Sequence, residues 1–220
     1  MAGGFKRKLK NINLGSIGLL ICLIGLFVTL ADFANELFFN SQQGFNFTNF
    51  IYLIINVFFY IIVGRSFLIA RNSGEFMYAR YGIVILIISQ YVMPTVRTLL
   101  QVLIFQGVLA VVDYVSIGLF LGSAAFGIAY FIFMILEFRQ SGKNFYIPMF
   151  IFGIILLIIN IFLGAVNVYA GIKVLMTPEI GPYQIINAIL SFFEGLGSIA
   201  MGVLFFLYPL YGILRRNGKM

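Results

Sequence analysis

The chain has 220 residues, of which 62% are hydrophobic and only 10% charged; its mean hydropathy is +1.06 and its formal net charge +7. A water-facing domain carries about 25% charged residues, so this composition excludes an ordinary soluble domain and suits a chain whose exterior meets lipid. The chain has no histidine and one cysteine, Cys22, which excludes an intrachain disulfide, a His/Cys zinc site and a His-ligated haem; no cofactor is expected.

Residues 1–13 form a basic tail with Lys6, Arg7, Lys8 and Lys10. It could open a secretory leader, but "VTLADFANEL" offers no small-residue cleavage site, so the first apolar run reads as a retained helix. Six apolar segments follow, at 14–33, 47–70, 81–105, 114–138, 145–170 and 183–214. Each has the ~20 residues needed to cross ~30 Å of hydrocarbon. They lack period-2 alternation, and a spanning segment must satisfy its backbone internally, so helices are expected rather than strands.

The cations give these segments a direction. Arg65, Arg71 and Arg80 flank the turn between segments two and three, Arg139 and Lys143 lie between four and five, and Arg215, Arg216 and Lys219 follow six. With the N-terminal four, twelve of the fourteen Lys and Arg fall on one side, leaving Arg97 and Lys173 toward the other. Short loops rich in Lys and Arg stay on the cytoplasmic side. The expected fold is therefore all-α: a polytopic membrane protein of six transmembrane helices arranged as three consecutive hairpins, with both termini cytoplasmic. The transmembrane domain is 14–214, and 215–220 is a basic C-terminal tail. The net positive charge is accounted for by the bilayer, not by nucleic acid. The punctuation "ARNSGE", "FRQSGK" and "RRNGK" at the ends of segments two, four and six is what such turns need: an Arg that snorkels, a small polar residue, and a Gly that stops the helix.

Polar residues inside spans are costly and mark candidate sites. Segment three carries Gln90, Pro94, Arg97 and Gln101 on one helical face, and segment five carries Gly153, Asn160, Gly164, Asn167 and Gly171 on another. Counted at ~1.5 Å per residue from the basic ends, Gln90 lies ~15 Å deep, Asn56 and Asn160 ~22 Å, Arg97 ~25 Å, and Asp32 and Glu194 ~30 Å. The candidate outer polar cluster is thus Gln90, Arg97, Gln101, Asn160, Asn167, Asp32 and Glu194, with either acid able to pair Arg97. The opposing reading makes the same amides interhelical packing contacts, each contributing ~0.6–2 kcal/mol. Small residues Gly118, Gly122, Gly127, Ser198 and Gly202 are candidate helix-packing positions, and Pro94 and Pro209 are expected to bend their helices. The chain's 26 Phe and 12 Tyr read mostly as lipid-facing and interfacial filler.

No phosphate-binding loop, Ser/His/Asp set or close acid pair is present, so an enzyme is disfavoured. Two functions remain open on the sequence. One is a non-enzymatic subunit, scaffold or trafficking factor working through helix–helix contacts in the lipid bilayer, with other membrane proteins or with itself. The other is a solute-binding transport or channel component that uses the outer polar cluster.

Overall fold

In the computed structural model, residues 13–39, 47–92, 114–139, 144–178 and 180–217 are described. They form six α-helices: α1 (Leu14–Phe39), α2 (Phe47–Ser73), α3 (Phe76–Ile87, continued by a π-helical turn at Ile88–Val92), α4 (Tyr114–Arg139), α5 (Tyr146–Leu175) and α6 (Pro182–Arg216). Five of them are long and apolar enough to cross a membrane. The exception is α3, whose apolar stretch Phe76–Tyr91 is shorter; the remainder of segment three, including Pro94, Arg97 and Gln101, lies outside the described residues.

Several helices overrun their expected limits. The positions taken as loop at Ala34 to Phe39 and Gly171 to Leu175 are helical, because Leu37, Phe38, Ile172 and Leu175 extend the apolar pattern and no breaker intervenes before Thr177-Pro178. α3 begins at Phe76, which moves Arg80 from a turn into the helix. α6 starts at Pro182, whose fixed φ and missing N–H suit a first helical turn, and the Gly181 N–H donates to Gln184 Oε1 at 2.7 Å.

The "ARNSGE" turn joins α2 to α3. Gly74 sits at φ +68°, a conformation open to glycine at little cost, and its N–H donates to the Ala70 carbonyl at 3.0 Å. Ser73 Oγ donates to the Ile69 carbonyl at 2.8 Å and accepts from the Glu75 N–H at 3.2 Å. The side chain thus closes the helix end on both sides.

Contacts between helix ends set the layout. Asn13 Nδ2 donates to the Arg71 carbonyl at 3.3 Å, tying the start of α1 to the end of α2. Glu137 at the end of α4 accepts from the Phe145 N–H at 3.0 Å and lies 3.8 Å from Arg216 at the end of α6. These contacts gather Arg71, Glu137 and Arg216 at one end of the bundle, hereafter the basic end. At the other end, Asn35 Nδ2 of α1 donates to Asn187 Oδ1 of α6 at 2.6 Å.

The most extensive interface is between α5 and α6. A Cβ added to Gly153 would lie 2.7 Å from the Phe205 carbonyl oxygen, one on Gly164 2.7 Å from that of Gly195, and one on Gly171 2.7 Å from that of Ala188. The relation is mutual, since a Cβ on Gly195 would meet the Gly164 carbonyl at 2.7 Å. The glycine stripe of segment five is therefore a backbone-to-backbone seam, the contact by which helices associate where lipid removes the hydrophobic drive.

α6 also crosses Pro209 without interruption. Proline has no N–H for the carbonyl four residues earlier, and that carbonyl, Phe205 O, accepts instead from the Tyr130 hydroxyl of α4 at 3.0 Å. Close packing is concentrated toward the basic end, where Phe67, Ile83, Leu86, Tyr130, Met134, Met149, Phe205 and Tyr208 are all buried. Large apolar side chains such as Leu23, Phe58, Ile61, Ile151 and Ile158 point outward, an exterior that fits hydrocarbon rather than water.

Candidate functional site

Among the described residues, a cavity of about 620 Å³ opens away from the basic end between α1, α2, the π turn, α5 and α6, within the ~300–1,000 Å³ range of small-molecule sites. α1 contributes Thr29 and Asp32, α2 contributes Asn56 and Tyr60, the π turn Ser89 and Gln90, α5 Asn167, and α6 Glu194 and Ser198. Glycine backbone gives this wall its shape: a Cβ on Gly25 would strike the Tyr60 ring at 2.4 Å. Gln90 Nε2 donates to the Tyr60 hydroxyl at 3.0 Å, so the two are set by each other rather than by lipid. Ser89 and Gln90 sit on the π-helical turn Ile88–Val92, which re-aims their side chains relative to a continuous α-helix.

Four of the seven residues expected in an outer polar cluster line this one cavity: Asp32, Gln90, Asn167 and Glu194. Asn160 does not. It is buried in the α5–α6 seam, where its Nδ2 donates to the Tyr91 hydroxyl at 3.1 Å and to the Leu156 carbonyl at 2.7 Å. Arg97 and Gln101 lie outside the described residues. Thr29, Tyr60 and Ser89 join the lining without having been singled out by sequence. Their signal is positional, since Thr29 precedes Asp32 by one turn and Ser89 adjoins Gln90.

The candidate packing positions separate in the same way. A Cβ on Gly127 would meet the Tyr91 ring at 2.7 Å, and one on Gly202 would meet Asn160 Cβ at 2.9 Å. Both are close contacts around the Asn160–Tyr91 pair. Ser198 lines the cavity instead. A Cβ on Gly122 would meet nothing within 4 Å among the described residues. Gly118 belongs to α4, and its surroundings lie outside the described residues.

A second constellation sits at the basic end and was not anticipated. Arg80 of α3 donates from Nε to the Tyr208 hydroxyl at 2.7 Å and from Nη2 to the Tyr146 hydroxyl at 2.9 Å. Phe76 stacks on Tyr208 with centroids 4.7 Å apart and planes 1° from parallel. Gly212 lets Tyr146 in, since a Cβ there would fall 2.3 Å from its ring. Among the described residues no group of three or more metal-ligating side chains occurs. Comparison with protein-family models, with curated proteins and with solved structures finds no match for this chain.

Proposed function

We propose that this chain is a multi-pass membrane protein with both termini on the cytoplasmic side, and that it binds a small, positively charged polar solute in the cavity facing the opposite side. The observation that carries the reading is the convergence of Asp32, Glu194, Gln90, Asn56 and Asn167 from five elements on one space. Polar groups at such depth are costly unless paired or wetted, and these five meet at one cavity, while Asn160 is taken up by the α5–α6 seam. The charged groups among the described lining residues are the carboxylates of Asp32 and Glu194; Asp32 already has another partner, and Glu194 is the carboxylate that a polar cation would meet. The orientation is supported by the bias of Lys and Arg to one side. The reading is non-enzymatic: the chain lacks histidine, and the cavity's acids serve as a charged wall.

The alternative, a subunit or scaffold acting through helix contacts, draws on the outward stripe Ile51, Ile54, Phe58 and Ile61 of α2. Lipid covers such a stripe equally well, whereas it does not fill a polar cavity.

The reading is tested by thermal unfolding of the detergent-purified protein at matched ionic strength with methylammonium, choline, putrescine or acetate. At least one of the amines should raise the melting temperature, as a ligand of the native state must. The double variant Asp32→Asn/Glu194→Gln should lose that rise. Asn160→Ala should lower the baseline melting temperature yet keep the rise. A shift with acetate alone, abolished by Arg97→Ala, would instead mean an anion site and overturn the proposal.

A further inference from the structure

A pocket of about 370 Å³ opens at the basic end beside Arg80, between α3, α4, α5 and α6. Arg80, Arg215 and Arg216 supply three cations to its wall, and Glu137 is the sole acid there among the described residues. That carboxylate is already engaged, one oxygen by the Phe145 N–H at 3.0 Å and the other facing Arg216 at 3.8 Å. Arg80 has two neutral phenols as its hydrogen-bond acceptors, and no carboxylate among the described residues pairs with it. Phenols orient a guanidinium without neutralising it, and the rest of its five N–H donors remain for another acceptor. Arg80 is half-buried beside the pocket, where an anion meets it partly shielded from water, and a planar fork held in a fixed frame suits the oxygens of a phosphate. The frame is rigid, because Phe76 stacks on Tyr208 and Tyr146 lies edge-on to both rings.

The surroundings identify the source of that phosphate. Met77, which lines the pocket, is exposed, and the helices that wall the pocket carry further exposed apolar side chains, such as Phe138 of α4 and Ile147 of α5. A soluble anion gains nothing from an apolar exterior, whereas a phospholipid places its chains on it while its headgroup enters. The cytoplasmic leaflet, where the membrane reading puts this end, is also where anionic lipids concentrate.

We infer that the Arg80–Arg215–Arg216 pocket binds the phosphate of an anionic phospholipid at the basic end of the bundle. This rests on the membrane reading for the source of the phosphate but not on the solute cavity.

The test is lipid retention by native mass spectrometry on the full chain in detergent micelles doped with phosphatidylglycerol or phosphatidylcholine. Parallel thermal unfolding is run with inorganic phosphate or glycerol 3-phosphate. One phosphatidylglycerol should be retained in preference to phosphatidylcholine. Arg215→Gln/Arg216→Gln should weaken retention about tenfold or more, at ~1 kcal/mol for each cation near the membrane surface. Tyr146→Phe leaves the net charge unchanged but frees Arg80 from one of its two anchors, and should weaken it severalfold. Melting without lipid separates a misfolded variant from a loss of binding. Equal retention of the two lipids, or retention unchanged in the double arginine variant, would overturn the inference. Stabilisation by inorganic phosphate matching that by phosphatidylglycerol would overturn the lipid assignment. A chain oriented the other way would show in the labelling experiment below, independently of these outcomes.

Discussion

Gly164→Leu should abolish the native packing of the bundle. Its Cβ would meet the Gly195 carbonyl oxygen and Ile199 Cγ1, each at 2.7 Å. The side chain can move, but the backbone carbonyl can yield only if α5 and α6 separate. Because Gly153 and Gly171 face α6 backbone in the same close manner, separation at Gly164 opens the seam in both directions. Overpacking costs ~1–3 kcal/mol even where a core can adjust, so a change propagating along the seam should exceed ~3 kcal/mol and lower the folded population in the membrane severalfold. Gly122→Leu, at a position open among the described residues, is the control. Both are read by detergent-resistant melting and by abundance in membranes. Equal tolerance of the two would mean that the α5–α6 seam is not a backbone contact.

Tyr130→Phe should destabilise the protein far more than the loss of one hydroxyl suggests. Tyr130 is fully buried, and its hydroxyl is the donor to Phe205 O, the carbonyl deprived of its helical partner by Pro209. Removing it leaves a buried acceptor unsatisfied, at a cost of ~1–3 kcal/mol. Pro209→Ala restores an N–H four residues after Phe205, so in that background the same change should cost less than ~1 kcal/mol. The coupling is measured by a double-mutant cycle on unfolding. Additive effects would show that the hydroxyl does not stand in for the missing backbone bond.

The sequence carries much of this arrangement in local form. Six apolar segments, with basic turns after the second and fourth, give six helices, five of spanning length, because span length and backbone satisfaction depend on little else. The Gly153–Gly164–Gly171 stripe is visible as a helical face, and depth counting puts Asp32 and Glu194 at one level, with Gln90 about 15 Å nearer the basic end. Partners across helices are not visible in this way. Gly195 faces Gly164 only once the antiparallel register of α5 and α6 is fixed, and no local pattern records that register. Asn160 and Asn167 share the face of one helix yet part company, one buried in the seam and the other lining the cavity, because seven residues carry the chain from tight packing to the cavity wall.

The basic-end cluster is hidden for a different reason. Arg80 resembles any Arg that ends an apolar run, and Tyr146 and Tyr208 resemble the other ten tyrosines until the fold brings their hydroxyls to one guanidinium. Likewise, Pro209 announces a carbonyl without a donor, but only the packing of α4 reveals that Tyr130 supplies one.

The central claim is that the chain crosses a bilayer with its basic end inside, and single-cysteine labelling in intact cells tests it most directly. Cys22 is buried and can be replaced by Ala; Ser73→Cys at the basic end and Thr177→Cys at the other are then introduced singly at exposed sites. A membrane-impermeant maleimide should label Thr177→Cys at once and Ser73→Cys only after the membrane is permeabilised. Labelling of Ser73→Cys in sealed cells, or of both sites alike, would contradict the account.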